Sequence, residues 1–361
     1  MKKFFLPVLF FLAACSDTPE KKEPTPKADA GRLDSIMNRA AKFKQAKEEM
    51  QVDVPYDTVL TNGENLQDYF RFVLCDRYIV LRLNVDTAVA SGAPQLAGTE
   101  YPVAVTKTLK NESITDSLKA FIGRKFHLID EDGNRFDVSI SKLEFMRAYY
   151  SYDGAPQDTT ISPSEQAQQI WNDGEYGNGM IVGEIDTVFK GTGDIIAAIP
   201  AENNLPVFYP SSENPHIQAQ AEKDIQLTEQ FNAIQKNYLQ EDSTAKEKKS
   251  WLDDASGPFI YCSPDPKTAF YVQTLTAGDY CGGPFYGELT SAWEMRDGQK
   301  EHLLFCLPVF CMTETIFDLE GDGTPEFFAT DESGCPMLFK KVNGRWTRVA
   351  YMPLMDMRCP C

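Results

Sequence analysis

Residues 126–140 read FHLIDEDGNRFDVSI, and this stretch decides the fold of the N-terminal half of the chain. Apolar side chains recur over residues 126–129 and again over 136–140 in the short runs that are typical of strands. Between the runs, residues 130–134 are acidic, glycine and asparagine side chains of the kind that form tight turns. The stretch therefore predicts a β-hairpin.

Similar short runs lie on both sides of this hairpin. Residues 69–74, 78–83, 180–185 and 195–199 predict further strands, and residues 113–121 predict one short helix. Residues 53–212 are accordingly expected to form an α+β, strand-dominated domain.

Residues 213–257 separate this domain from the rest of the chain. Residues 214–241 predict one helix, since Asn214 can cap it and Pro215 suits the first helical position. Apolar residues then recur at helical intervals, at Ile217, Ala221, Ile225, Phe231, Ile234 and Tyr238. Residues 241–257 are charged and rich in small side chains, so they are expected to link two domains.

Residues 258–361 are rich in aromatic residues, glycine and cysteine. Runs at 270–272, 292–295, 303–305 and 337–339 predict short strands, and Asn343-Gly344 between two apolar runs predicts a hairpin turn. No repeat of convincing period is found, so a multi-blade propeller is not expected. We expect this half to be all-β and disulfide-bonded, joined to the first half by the short connecting helix.

The composition narrows the class of protein. The 361 residues include 53 acidic and 35 basic ones, which gives a net charge of −18, and 42% are hydrophobic. So large an apolar fraction can fill a core, which argues against a wholly disordered chain. The acidic balance argues against a nucleic-acid partner, since proteins that bind phosphate backbones concentrate Lys and Arg.

Residues 1–15 read MKKFFLPVLFFLAAC, which is the layout of a secretory signal peptide: a basic start, a short apolar segment and small residues. The end, Leu12-Ala13-Ala14-Cys15, resembles the lipobox of bacterial lipoproteins. The resemblance implies that residues 1–14 are removed, that Cys15 is acylated with fatty acids such as palmitate, and that the chain is anchored to a membrane. Ser16 after the cysteine implies the outer membrane by the sorting rules of such lipoproteins. An ordinary signal peptide with a chance cysteine is the alternative.

Residues 15–52 are expected to hold the folded part away from the membrane. Residues 16–30 contain three prolines, mixed charges and no large apolar side chain, so they predict a flexible tether. Residues 32–50 predict an amphipathic helix, which either docks on the folded body or binds a partner.

With Cys15 acylated, eight cysteines remain as candidates for disulfides, the default in a cell-envelope compartment. They are Cys75, Cys262, Cys281, Cys306, Cys311, Cys335, Cys359 and Cys361. Seven of the eight lie in the C-terminal half, so either Cys75 bridges the two halves or it is a buried thiol. Zinc is less favoured because no Cys-x-x-Cys pair occurs.

Residues 318–326 form an acidic loop with the sequence DLEGDGTPE. Calcium binds six to eight oxygen atoms, and acidic side chains that alternate along a glycine-containing loop can supply them. The candidate ligands are Asp318, Glu320, Asp322, Thr324 and Glu326. From residue 313 to 332 there are seven acidic residues and no basic one, which favours a cation as the counter-charge.

The loop resembles the calcium loops of FG-GAP and VCBS-type repeats, which lie between strands. It departs from an EF-hand at the twelfth position, where Ala329 replaces the bidentate glutamate, and Glu320 stands where aspartate is usual. The resemblance implies one structural Ca²⁺ site, while an acidic turn without metal is the alternative. Asp130, Asp132 and Asn134 form a weaker version, which we interpret as a hairpin turn.

Signatures of known enzymes are mostly missing. Neither a Gly-x-Ser-x-Gly nor a His-Glu-x-x-His motif occurs, and the three histidines, His127, His216 and His302, are far apart in sequence. Ser139 and Lys142 match a Ser-x-x-Lys pattern but lie in a predicted strand. A non-enzymatic binding or structural lipoprotein is therefore the leading hypothesis. The alternative is a carboxylate-dependent hydrolase of envelope glycan or polysaccharide.

Two aromatic stretches are the remaining indication of a ligand. Residues 149–154 and 171–179 place tyrosine and tryptophan beside glycine and polar residues. Such stretches either bind sugars or serve as buried loop anchors. A glycan or an envelope protein is thus the expected ligand.

Overall fold

The computed structural model of the chain describes most residues from Phe70 onward. The described residues are 70–99, 102–150, 160–172, 179–187, 194–241, 250–265, 267–278, 285–297, 300–331, 334–352 and 354–356. The signal peptide, Cys15, the tether, the helix predicted over 32–50, and Cys281, Cys359 and Cys361 lie outside these residues.

Strands dominate the described residues. The strands are β1 (Val73–Leu74), β2 (Tyr78–Val85), β3 (Ala90–Thr99), β4 (Val103–Leu109), β5 (Lys125–Asp130), β6 (Arg135–Tyr150), β7 (Gly179–Ile185), β8 (Ile195–Pro200), β9 (Val207–Tyr209), β10 (Phe259–Asp265), β11 (Thr268–Gly278), β12 (Tyr286–Arg296), β13 (Lys300–Leu307), β14 (Met312–Asp318), β15 (Glu326–Thr330), β16 (Pro336–Val342), β17 (Arg345–Tyr351) and β18 (Met355–Asp356). The helices are α1 (Asp116–Lys119), α2 (Pro163–Asn172), α3 (Pro215–Ile225) and α4 (Glu229–Glu241). The expected strand-dominated fold is confirmed.

The N-terminal half forms most of a nine-stranded sheet with the strand order β1-β2-β7-β6-β4-β3. Strands β5, β8 and β18 pair beside this path. The long strand β6 joins its parts, because its first residues pair with β5 and its later residues pair with β4 and β7. The predicted hairpin over residues 126–140 is confirmed, with Leu128 opposite Phe136. Its turn is held by Asp130, whose Oδ1 accepts the backbone N–H of Asn134 at 2.7 Å.

The C-terminal half forms two antiparallel sheets. Strands β10 to β13 follow one another in a four-stranded sheet, and β17-β16-β15-β14-β9 form a five-stranded one. The turn predicted at Asn343-Gly344 joins β16 and β17, with φ of 51° and 80° at its two central residues. Both values lie in the left-handed region that this kind of hairpin turn requires.

Aromatic side chains fill the spaces between the sheets. Phe70 and Phe72 each lie 6.4 Å, centre to centre, from Phe328 of β15, in a cluster shared by the nine-stranded and five-stranded sheets. Phe305 of the four-stranded sheet contacts Phe327 of the five-stranded sheet at 5.3 Å. Side chains from residues 53–212 and from residues 258–361 share one core cluster. The division of the chain into these two domains stays a prediction.

The prediction of a single helix over residues 214–241 is wrong in one respect, because this range forms two helices, α3 and α4. Asn214 caps α3 as expected, accepting the N–H of Ile217 at 3.3 Å. The helix then ends at Ile225, whose carbonyl accepts the hydroxyl of Thr228 at 2.7 Å. The same hydroxyl accepts the N–H of Phe231 at 3.2 Å, so Thr228 closes one helix and caps the next.

The prediction that the C-terminal half is disulfide-bonded is not supported. Cys75, Cys262, Cys306, Cys311 and Cys335 are all free thiols. Four of them are fully buried in apolar clusters, where a thiol packs as a small hydrophobic side chain. Cys75 likewise packs against the shared cluster, which corresponds to the buried-thiol alternative rather than to a bridge between the halves.

Among the described residues, no helix combines the length and the apolar character that crossing a bilayer requires.

Candidate functional site

The acidic loop connects two paired strands, as the resemblance to FG-GAP loops implied. Strand β14 ends at Asp318, β15 begins at Glu326, and Phe317 lies opposite Glu326 in the ladder. Gly321 and Gly323 have φ of 72° and 82°. A Cβ atom at either glycine would meet no other atom within 4 Å, so the backbone conformation is the reason for these glycines.

Asp318 organises the loop from its base. Its side chain is buried, with 4% of the residue exposed. Oδ1 accepts the N–H of Gly321 at 2.6 Å and that of Asp322 at 3.1 Å, while Oδ2 accepts the N–H of Gly323 at 2.7 Å. The loop backbone is therefore folded around one carboxylate.

Glu326 closes the other end of the loop and is the most buried of the five predicted ligands, with 1% of the residue exposed. Its Oε2 accepts the N–H of Leu319 at 2.6 Å. Burial raises the pKa of Glu326 to about 7, and the nearby charges of Asp318 and Glu320 add to the rise. The hydrogen bond from Leu319 and the positive charge of Lys340 oppose this rise in the pKa.

The other three predicted ligands lie nearer the surface. Glu320 pairs with Lys340 of β16, with Oε1 and Nζ 2.5 Å apart. Asp322 is exposed, and its Oδ1 accepts the N–H of Thr324 at 2.8 Å. The structure therefore brings all five residues onto one hairpin loop. The carboxylates of Asp318 and Glu326 are buried, that of Asp322 is exposed, and that of Glu320 pairs with Lys340.

The carboxylate oxygens of this loop suit calcium, but hydrogen bonds within the loop already occupy some of their acceptor positions. A carboxylate offers about four acceptor positions, and backbone N–H groups occupy three of those on Asp318. Over the described part of the chain, no three His, Cys, Asp or Glu side chains already converge as metal ligands. Asp322 and Glu326 each accept one hydrogen bond and Glu320 holds one ion pair, so all three have acceptor positions left beside Asp318.

Sequence reasoning missed two residues beside this loop. Lys340 could have been found by counting along the β15–β16 hairpin, since Phe327 pairs with Phe339 and Lys340 is the residue after Phe339. Tyr209 could not, because β9 reaches β14 from more than a hundred residues away. Burial raises the pKa of Tyr209 to about 12, and the charge of Asp318 is the second cause.

The described residues also hold a pair of buried glutamates, which bears on the hydrolase alternative. Glu144 and Glu184 are 6% and 5% exposed. Lys142 Nζ lies between them, 2.9 Å from Glu144 Oε1 and 2.7 Å from Glu184 Oε2, and Arg77 also pairs with Glu184. The two carboxylates are thus paired with cations that link β6, β7 and the turn before β2.

Two of the remaining candidates from the sequence, His127 and Ser139, have hydrogen-bond partners among the described residues. His127 on β5 pairs with Asp137 across the hairpin at 2.7 Å, His216 is exposed on α3, and the side chain of His302 on β13 lies outside the description. Ser139 hydrogen-bonds Asp186 and lies in β6, as predicted.

The aromatic stretches behave as anchors where they are described. Tyr149 is 5% exposed, and the ring of Trp171 packs edge-on against Phe145 with centres 5.8 Å apart. Residues 151–159 and 173–178 lie outside the description.

Comparison of the chain with protein-family models, with curated proteins and with solved structures gave no match.

Proposed function

We propose that this protein is a lipid-anchored lipoprotein of the cell envelope, in which a calcium-stabilised loop supports a non-enzymatic binding or structural module. The loop between β14 and β15 is the part of this proposal for which the geometry offers most support. The ligand of the module is expected to be a glycan or another envelope protein.

The anchor is inferred from the sequence of the leader. Leu12-Ala13-Ala14-Cys15 resembles a lipobox, and acylated Cys15 would carry a diacylglycerol together with an amide-linked chain. Stable attachment to a membrane requires at least two such hydrophobic signals. The proline-rich residues 16–30 would then act as a spacer.

The observation that carries the calcium part is the burial of Glu326 beside Asp318. Both carboxylates lie under the loop, and the pKa of Glu326 is raised to about 7 because burial disfavours its charged form. Lys340 supplies one positive charge, which pairs with Glu320 and also acts on Glu326, against the three carboxylates Asp318, Glu320 and Glu326. A divalent cation held by Asp318, Asp322 and Glu326, with the carbonyl of Thr324, would supply the missing positive charge.

The ion would have a structural task in this proposal. The loop joins two inner strands of a five-stranded sheet, whose side chains share a core cluster with the nine-stranded sheet. Fixing the loop would therefore hold the register of β14 and β15. The loss of Ca²⁺ should lower stability without unfolding the protein, because the core on both sides of the loop does not depend on the ion.

The test is a thermal melt of the purified mature protein in EDTA and in millimolar Ca²⁺, with a variant that lacks the exposed ligand Asp322. A calcium-dependent rise in the wild type that disappears in the variant supports the site. Metabolic labelling with palmitate tests the anchor separately.

A further inference from the structure

Two basic side chains share the ring of Trp171 on one face of the nine-stranded sheet. Lys107 on β4 places its Nζ 3.8 Å from the ring centre, and Arg147 on β6 places its Cζ 4.7 Å from it. In the ladder, Val105 lies opposite Arg147 and Phe145 lies opposite Lys107. The two cations are therefore diagonal neighbours on the same face of adjacent strands.

Neither cation has a carboxylate partner within the described ranges. Arg147 Nη1 donates to the carbonyl of Trp171 at 3.4 Å, at the end of α2, where a positive charge also suits the helix dipole. Arg147 Nε is buried and has no hydrogen-bond partner in the described part of the chain. This contrasts with Lys142 and Arg77 of the same sheet, which pair with buried glutamates.

The local electrostatics are unfavourable without a counter-charge. Burial lowers the pKa of Lys107, and the neighbouring positive charge of Arg147 lowers it further. Burial also lowers the pKa of Arg147. Within the described residues, two adjacent, partly buried cations thus have an aromatic ring as their shared contact.

We propose that Lys107 and Arg147 bind a tetrahedral oxyanion, a phosphate or sulfate group, beside Trp171. Arg147 Nε–H is a buried donor without a hydrogen-bond partner in the described part of the chain, and a guanidinium offers charge-assisted N–H donors that match the oxygens of such a group. Lys107 adds a second positive charge, which suits a doubly charged anion better than a carboxylate. The proposal goes beyond the calcium loop and does not depend on it.

The anion can be free or part of a larger envelope molecule, and the experiment separates these sources. The protein, labelled with ¹⁵N, is titrated with inorganic phosphate, sulfate, glycerol phosphate and acetate at constant ionic strength, in EDTA so that the calcium loop plays no part. The signal followed is the arginine Nε–H cross-peak that Arg147→Lys removes. We expect a saturable shift with phosphate and sulfate and a weaker response to acetate. Tighter binding of glycerol phosphate points to an anion carried by a larger molecule.

The matched variants are Lys107→Gln and Lys125→Gln, which remove one positive charge each from the same half of the chain. Lys125 is exposed on β5. Lys107→Gln should weaken phosphate binding about tenfold, because one charge-assisted contact is lost, whereas Lys125→Gln should leave it unchanged. The proposal is overturned if the Arg147 signal shows no saturable shift with either phosphate or sulfate. Equal binding by the two variants would overturn it as well.

Discussion

The backbone N–H of Leu319 donates to Oε2 of Glu326 over 2.6 Å, and both residues are buried. This bond closes the acidic loop on the side of the protein core. The open side of the loop is therefore the one that carries Asp322, which is exposed. An ion that binds the loop would enter from that side and reach Glu326 last.

The buried network around Lys142 should matter for stability. Lys142→Met leaves Glu144 and Glu184 buried with one cation fewer, so the free energy of unfolding should fall. We expect a loss of about 2 kcal/mol, below the roughly 3–5 kcal/mol of a fully buried pair, because Lys142 is itself half exposed. Denaturant unfolding with Lys125→Met as the control measures this. Removing one acid as well, in Lys142→Met/Glu144→Gln, should restore part of the loss.

Glu314 should make the protein less stable as the pH rises. Burial raises the pKa of Glu314 above its ordinary value of 4.5, and the charges of Glu131 and Asp194 add to this, against a hydrogen bond from Thr330. The folded state thus holds this proton more tightly than the unfolded state. Its contribution is full below pH 4.5 and is lost as the pH rises through the raised pKa.

The variant Glu314→Gln should therefore be more stable than the wild type at pH 8 and show a smaller change in unfolding free energy between pH 5 and 8. The exposed Glu112→Gln is the matched control. An unchanged pH profile in Glu314→Gln would show that this carboxyl titrates normally.

The described cysteines should behave as free thiols. Burial raises the pKa of Cys75 to about 12, and a thiol of this kind reacts slowly in the native protein at pH 8. After denaturation without reductant, alkylation should label Cys75, Cys262, Cys306, Cys311 and Cys335, as read by peptide mass spectrometry. A disulfide-linked peptide that contains Cys75 would contradict this prediction and support the hypothesis that Cys75 bridges the two halves.

The lipid anchor predicts a specific labelling result. Wild-type protein expressed in a bacterial host should incorporate palmitate and fractionate with membranes, whereas Cys15→Ala should lose the label. Cys75→Ala is the control, since it removes a buried thiol and leaves the leader intact. Wild-type protein without label would mean that the leader is an ordinary signal peptide.

Local patterns in the sequence were sufficient for much of the fold. The hairpin at residues 126–140 and the turn at Asn343-Gly344 were found because a turn and its two strands are neighbours in the chain. Strand β9 was missed, because its partner β14 lies far away in sequence and nothing local marks the pairing. The break between α3 and α4 was missed because the apolar spacing continues across Thr228, whose hydroxyl caps the second helix.

The candidate sites likewise combine features that are local in sequence with contacts between distant segments. The acidic loop could be found from sequence because its donors are contiguous, and the structure places them on one hairpin. The contacts of Glu320 with Lys340, and of Lys107 and Arg147 with Trp171, depend on strand pairing and on a helix packed over the sheet. The disulfides were expected from the compartment alone, and the structure instead has Cys75, Cys262, Cys306, Cys311 and Cys335 as free thiols.

The measurement that tests the central claim most directly is the thermal melt of the mature protein in EDTA against millimolar Ca²⁺. Extracellular calcium modules bind at about 0.1–1 mM, so about 5 mM Ca²⁺ is roughly a five- to fiftyfold excess over Kd and stabilises the folded state by roughly 1–2 kcal/mol. We expect Ca²⁺ to raise the Tm of the wild type by a few degrees and Mg²⁺ to raise it less. Asp322→Ala should abolish the rise while Asp132→Ala, in the similar turn between β5 and β6, should keep it. Wild-type melting curves that coincide in EDTA and Ca²⁺ would contradict the account and leave the loop as an acidic turn.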